Sequence, residues 1–188
     1  FSPSRIYNEE LANECMTKIF LPTMEAMKAE NRTFKGVLYF GLIQTSEGVK
    51  VIEYNCRFGD PETQVVLPRL KTDVLEILLA VCGEKLAETE IEWSDAAAAC
   101  VVMASGGYPE KYAKGMEIVG LNEKGQLDGV VVYHAGTKVE NGRLYTNGGR
   151  VLGVTALGDT LEEALEKSYA AVQKISFPGA HYRSDIGK

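Results

Sequence analysis

Apolar positions recur at helical spacing early in the chain and later give way to short strand-length runs. From Asn8 to Glu30, Leu11, Cys15, Ile19 and Met27 fall near one helical face with Phe20 and Met24 beside it. Asn8 suits the N-cap, and Glu9 and Glu10 suit the first turn, where the helix dipole favours acids. Pro22 is expected to kink or divide this helix. Lys35 to Gln44 is apolar on both faces, the pattern of a strand central in a sheet. Thr45 to Gly48 reads as a turn, and Val49 to Cys56 as the returning antiparallel strand. On that strand Val49, Val51, Glu53, Asn55 and Arg57 would share one face, with Ile52, Tyr54 and Cys56 on the other. Asp60-Pro61-Glu62 opens a helix towards Leu70. Thr72 or Asp73 caps a second one through Cys82, with Leu75, Leu78, Leu79 and Cys82 as its apolar face and Gly83 as its stop.

Glu84 to Asp95 is a charged connector and the expected domain boundary, dividing the chain into 1–92 and 93–188. Beyond it lie a buried strand, Ala96 to Ala104, a short strand at Met116 to Val119 and another at Val130 to His134. Arg143 to Thr146 and Arg150 to Ala156 are expected to pair around the turn residues Asn147-Gly148-Gly149. Thr160 and Glu163 form a capping box for a last helix whose core face is Leu161, Leu165, Val172 and Ile175. The tail from Phe177 is polar.

Composition changes this picture little. The 188 residues are 45% hydrophobic and 24% charged, enough for a core in one or two domains. The net charge is −6 with no basic run, which argues against a nucleic-acid partner. No apolar run approaches the roughly 20 residues of a membrane span. Cys15, Cys56, Cys82 and Cys100 lie far apart and read as buried free thiols of a cytoplasmic protein. The chain opens at Phe1, and Phe1 to Ser4 reads as a loop entered from upstream, as in a fragment of a longer protein.

The stretch from Lys50 to Arg69 concentrates the chemistry. Glu53 and Asn55, two residues apart, offer oxygen ligands suited to a hard cation such as Mg²⁺. Arg57 beyond them is a planar, permanent cation suited to phosphate or carboxylate. Gly59-Asp60-Pro61-Glu62 adds two carboxylates. The same residues also fit a solvent-facing edge strand and a turn. There is no dinucleotide-binding or Walker glycine motif. His134-Ala-Gly-Thr-Lys138 and Thr146-Asn-Gly-Gly-Arg150 each join small residues to one cation. Each reads either as a phosphate-holding loop or as a hairpin turn. His134 is expected to be packed and hydrogen-bonded, and Ser105-Gly-Gly-Tyr-Pro109 to be a turn.

These motifs in combination, chiefly V-I-E-Y-N-C-R-F-G-D-P-E-T-Q, resemble the glycinamide ribonucleotide synthetase (phosphoribosylamine–glycine ligase) family. The resemblance runs through the closing Tyr182-Arg183-x-Asp185-Ile186-Gly187. It implies an α+β architecture, part of an antiparallel ATP-grasp domain followed by a small mixed C-terminal domain. It also implies an ATP-dependent ligase that joins glycine to 5-phosphoribosylamine through a glycyl phosphate in purine biosynthesis. Glu53 and Asn55 would hold Mg²⁺ or Mn²⁺ on the ATP phosphates. Arg57 would stabilise the transferring phosphoryl group or the glycine carboxylate. Asp60 and Glu62 would face the substrate amine or ribose, and Lys138 and Arg150 would clamp the 5-phosphate. Many ATP-grasp enzymes carry an acidic ligand on the preceding strand, but Tyr39 to Ile43 has none. The missing partner would be the N-terminal part of the same enzyme, without which the chain is expected to be inactive.

Overall fold

Local signals for helices translate directly into structure in the computed structural model, which describes residues 1–188. Asn8 accepts the Leu11 N–H at 2.8 Å and starts α1, Glu9–Cys15. A π-helical turn, Met16–Phe20, carries the helix into α2, Leu21–Ala29. The Leu21 N–H bonds to the Met16 carbonyl, and Pro22, which has no N–H to give, follows at once. Strands β1, Tyr39–Thr45, and β2, Gly48–Asn55, pair antiparallel around Ser46-Glu47, with Gly48 at φ +97°. Thr63–Val66 forms the short helix α3, which tightens into a 3₁₀ turn at Leu67–Arg69 and stops short of the expected Leu70. Asp73 accepts the Leu75 N–H at 2.8 Å and caps α4, Val74–Cys82.

The chain forms two compact units. One comprises Ser4–Asp60 and Leu70–Trp93, the other Phe1–Pro3, Pro61–Arg69 and Ser94–Lys188. In the first, β1 and β2 pair with each other, and within this chain no second neighbour flanks β1. Phe20, Phe40 and Tyr54 pack in series, the first pair tilted and the second edge-to-face, with ring centroids 4.5 and 5.3 Å apart. Phe20 and Phe40 line an open apolar cavity of about 1220 Å³ with Leu11, Cys15, Leu42 and Val49. The apolar face of α4 is open to solvent: Leu75 is 59% and Leu79 64% exposed.

The second unit is built on a three-stranded antiparallel sheet, ordered β3 (Ala97–Ala104), β7 (Arg150–Gly158), β4 (Val131–His134). Its helix α5, Leu161–Val172, starts at Thr160, whose hydroxyl accepts the Glu163 N–H. Val101, Met103, Val132, Leu152, Val154 and Val172 form the main core on one sheet face. Val65 of α3 covers Ala98 and Cys100 on the other. Phe1 to Ser4 is more than a loop: Ser2 pairs antiparallel with Ala98 through two 2.8 Å backbone bonds. Arg69 clamps that segment, donating to Ser2 Oγ at 2.6 Å and to the Ala96 carbonyl at 2.6 Å.

The expected hairpin between Arg143–Thr146 and Arg150–Ala156 does not form. Strand β6, Arg143–Thr146, pairs instead with β5, Thr137–Glu140. Their two-residue loop is Asn141-Gly142, both at positive φ (51° and 76°), the type I′ geometry whose twist matches a hairpin. Met116 to Val119 forms no ladder, only single bridges from Glu117 to Tyr145 and from Val119 to Ser176. Cys15 and Cys100 are buried as expected, whereas Cys56 and Cys82 are exposed. No helix is long and apolar enough to cross a membrane.

Candidate functional site

The face on which Glu53 lies is set by one extra residue. Leu42 pairs with Val51, but the next residue of β1, Gly41, pairs with Glu53. Ile52 is therefore a bulge, and it reverses the alternation of β2. Val49, Val51 and Tyr54 share the face of Phe40 and Leu42. Glu53 and Asn55 share the face of Tyr39 and Gly41. The simple period-two expectation that put Val49, Val51, Glu53 and Asn55 on one face is corrected accordingly. The bulge leaves Val49 on the face of the cavity-lining Phe40 and Leu42 and turns Glu53 and Asn55 to the other.

On that polar face Asn55 Nδ2 donates to Glu53 Oε1 at 3.0 Å. The bond uses the amide nitrogen and one carboxylate oxygen, so Glu53 Oε2 and Asn55 Oδ1 are left as neighbouring hard donors. No group of three or more His, Cys, Asp or Glu side chains is placed to hold a metal. Within this chain Glu53 and Asn55 are therefore a two-residue donor pair, not a complete metal cage. Arg57 is exposed and donates from Nη1 to the Phe58 carbonyl at 2.9 Å. Asp60 is exposed at the end of the same segment. Glu62 belongs to the other unit, where its carbonyl accepts the Val65 and Val66 N–H groups at 3.0 Å and starts α3. Burial pushes the nearby Phe1 amine below its ordinary value, with the Cys100 and Glu62 charges acting the other way.

In that second unit the three glycine loops singled out in the sequence meet. Ser105, 3% exposed, donates its hydroxyl to the Gly148 carbonyl at 2.8 Å and its N–H to the Gly149 carbonyl at 2.8 Å. Asn147 N–H reaches the Gly136 carbonyl at 2.7 Å, and the Ala135 and Gly136 N–H groups both reach the Val151 carbonyl. Gly149 lies under the Tyr108 ring so closely that a β-carbon there would sit 2.2 Å from it. Ser105-Gly-Gly-Tyr-Pro109 is thus a turn, as expected, but also the clamp on the other two loops. The serine beside two glycines was the available signal for it.

A second bulge aims Arg150. Met103 pairs with Leu152 and Ala104 with Arg150, so Val151 is the extra residue. Without it Arg150 would share the core-facing side of Leu152; with it Arg150 is exposed on the opposite side. Lys138 is placed differently. It lines a cavity of about 700 Å³ with Glu117, Lys124, His134 and Arg143, and it pairs with Glu140 at 2.7 Å. Arg150 is not among the residues lining that cavity. His134 is held at both nitrogens, by Thr137 Oγ1 at 3.1 Å and the Gly125 carbonyl at 2.9 Å. The carbonyl can only accept, so Nε2 carries a proton and donates to it. Burial pushes the neighbouring Tyr133 hydroxyl above its ordinary value.

Two family models match the chain: the ATP-grasp (A) domain of phosphoribosylglycinamide synthetase over residues 1–63 and its C domain over residues 98–188. The phosphoribosylamine–glycine ligase of Caldanaerobacter subterraneus subsp. tengcongensis is 50% identical over 185 residues, covering 98% of this chain and 44% of that relative. The trifunctional purine biosynthetic protein adenosine-3 of Gallus gallus is 46% identical, covering all of this chain and 19% of its own. The crystal structure of phosphoribosylamine–glycine ligase from Thermotoga maritima superposes with a TM-score of 0.82 at 32% identity, over 97% of this chain and 44% of that one. The chain therefore spans less than half the length of these relatives.

Proposed function

This chain belongs to the phosphoribosylglycinamide synthetase family, and from that premise we propose that it is part of a longer, cytoplasmic ATP-dependent ligase. The whole enzyme joins glycine to 5-phosphoribosylamine, giving glycinamide ribonucleotide, ADP and phosphate. Its small-molecule partners are ATP and those two substrates. Its macromolecular partner is the remainder of the same enzyme.

The observation that carries the reading is the pair of side chains on the polar face of β2. Glu53 and Asn55 are locked together at 3.0 Å with one oxygen each left over. That donor set, all oxygen and poor in carboxylates, fits a hard cation that keeps phosphate or water ligands. Mg²⁺ or Mn²⁺ bound there would draw the ATP phosphates together and neutralise their charge. The protein contributes position and complementary charge. Arg57, exposed two residues beyond Asn55, offers its planar guanidinium to a phosphoryl group or to the glycine carboxylate. Asp60 serves the substrate amine or ribose. Arg150 and Lys138 bind the 5-phosphate.

The test is ADP release by the full-length enzyme with ATP, Mg²⁺, glycine and fresh phosphoribosylamine, each omitted in turn. Release that needs both glycine and phosphoribosylamine and collapses on Glu53→Ala is the expected result. Release that ignores glycine but responds to another carboxylate moves the assignment to a different ATP-grasp ligase. The 188 residues alone are expected to show no turnover.

A further inference from the structure

Gly41 is the residue directly across from Glu53, and its lack of a side chain shapes the carboxylate's path. A β-carbon built on Gly41 would lie 2.8 Å from Glu53 Cγ, with the Glu53 carbonyl and nitrogen next at 3.5 and 3.6 Å. Real β-carbons do not approach so closely, so one of the two side chains has to move. The obstructed atom is the middle of a flexible side chain, not backbone. An alanine at 41 is therefore accommodated by rotating Glu53, and the strand pairing stays. Gly41 is not among the glycines at positive φ, so backbone conformation does not demand glycine here. What the missing side chain leaves is the space above it.

From this we propose that Gly41 is a positioning residue for the cation site. It is the floor across which Glu53 lies so that its carboxylate meets the Asn55 amide. The bulge at Ile52 and the glycine act together. The bulge turns Glu53 to the face of Gly41, and the glycine lets its side chain lie flat against β1. Displacing Cγ breaks the 3.0 Å bond from Asn55 Nδ2 and separates the two free oxygens. β1 thus contributes to the site by absence: it supplies no carboxylate of its own and leaves its surface to one from β2. This rests on the reading that Glu53 and Asn55 hold the metal.

The experiment measures Mn²⁺ affinity by electron paramagnetic resonance in the full-length enzyme with ADP, for wild type, Glu53→Ala, Gly41→Ala and Ile43→Ala. Thermal stability is followed in parallel. Removing a group that orients a ligand typically weakens metal binding 10- to 100-fold, and about that loss is expected for Gly41→Ala. Its melting temperature should stay close to wild type. Ile43→Ala, half-exposed on the same strand and outside the site, should bind Mn²⁺ as wild type does. If Glu53→Ala binds normally, the metal reading itself fails. If Glu53→Ala weakens binding and Gly41→Ala does not, the metal reading stands and the role of Gly41 is refuted. Equal loss in Ile43→Ala and Gly41→Ala would also refute it, since the effect would then belong to the strand as a whole.

Discussion

Gly136 and Gly148 lie back to back: a β-carbon on Gly136 would stand 2.6 Å from Gly148 Cα and 2.5 Å from the Arg150 carbonyl. Both obstructing groups are backbone, which cannot rotate aside as a side chain can. Neither glycine is needed for a left-handed conformation, so close approach alone explains them. Gly136→Ala is expected to push apart the loops that carry Lys138 and Arg150. Overpacking of this kind costs about 1–3 kcal/mol. In a chain of this size that lowers the melting temperature by about 2–4 °C per kcal/mol. Thermal melts of the single alanine variants check it, and an unchanged melting temperature would contradict the packing described.

Ser105 holds the same junction by hydrogen bonds. Its buried hydroxyl is a donor to the Gly148 carbonyl at 2.8 Å. Ser105→Ala leaves that carbonyl without this partner, at a cost of about 1–3 kcal/mol. Ser105→Thr keeps the hydroxyl and should lose less. The informative comparison is steady-state kinetics of the two variants in the full-length enzyme. Alanine should raise KM for phosphoribosylamine more than it lowers kcat, because the loop it frees carries Arg150. Equal kinetics for the two variants would detach Ser105 from that loop's function.

Arg150 and Lys138 are assigned one substrate phosphate, yet they are held differently. Lys138 is paired with Glu140, and Arg150 is turned outward by the Val151 bulge. A charged hydrogen bond to an anion is worth about 1.5–3 kcal/mol, so losing one raises KM by about 10- to 100-fold. Arg150→Ala and Lys138→Ala should each do so for phosphoribosylamine while leaving KM for ATP unchanged. A KM effect from Arg150→Ala alone would remove Lys138 from the phosphate site and leave its cavity with another role.

What the sequence could and could not reveal follows from which interactions are local. The caps at Asn8, Asp73 and Thr160 were legible because a cap bonds to residues two or three positions away. The three glycine loops were legible as loops. Their meeting was not, because Ser105 and Gly148 are 43 residues apart. Both bulges escaped for a related reason. A strand shows its period in sequence, but an extra residue shows only against its partner's register. Those bulges decide which face Glu53 and Arg150 occupy, so the orientation of these two candidate residues was not legible from the spacing. The misplaced hairpin had a plainer cause. Asn141-Gly142 and Asn147-Gly148 carry the same turn dipeptide, and only the backbone shows that the first makes the type I′ loop. Apolar spacing also marked Leu75 and Leu79 as one face of a helix, and in this chain that face is exposed.

Glu163 ties the start of α5 to pH. Its carboxylate accepts from Lys167 Nζ at 2.8 Å and from the Asp159 N–H at 2.7 Å. The Lys167 bond, then the Asp159 N–H, hold its pKa below the ordinary 4.5. A carboxyl whose folded pKa is depressed contributes stability that is fully present above the unfolded value. That contribution is lost as pH falls through the folded one. Above about pH 5 the helix start is therefore fully held, and below the ordinary carboxylate range it loosens. The Asp159 amide proton reports this directly, because protonating Glu163 weakens the bond it makes. Its NMR chemical shift should titrate with a midpoint below 4.5, and Glu163→Gln should flatten the titration. Lys167→Ala removes the largest cause and should move the midpoint back up towards 4.5. A midpoint unmoved by Lys167→Ala would show that the backbone N–H, not the lysine, sets the acidity of this carboxyl.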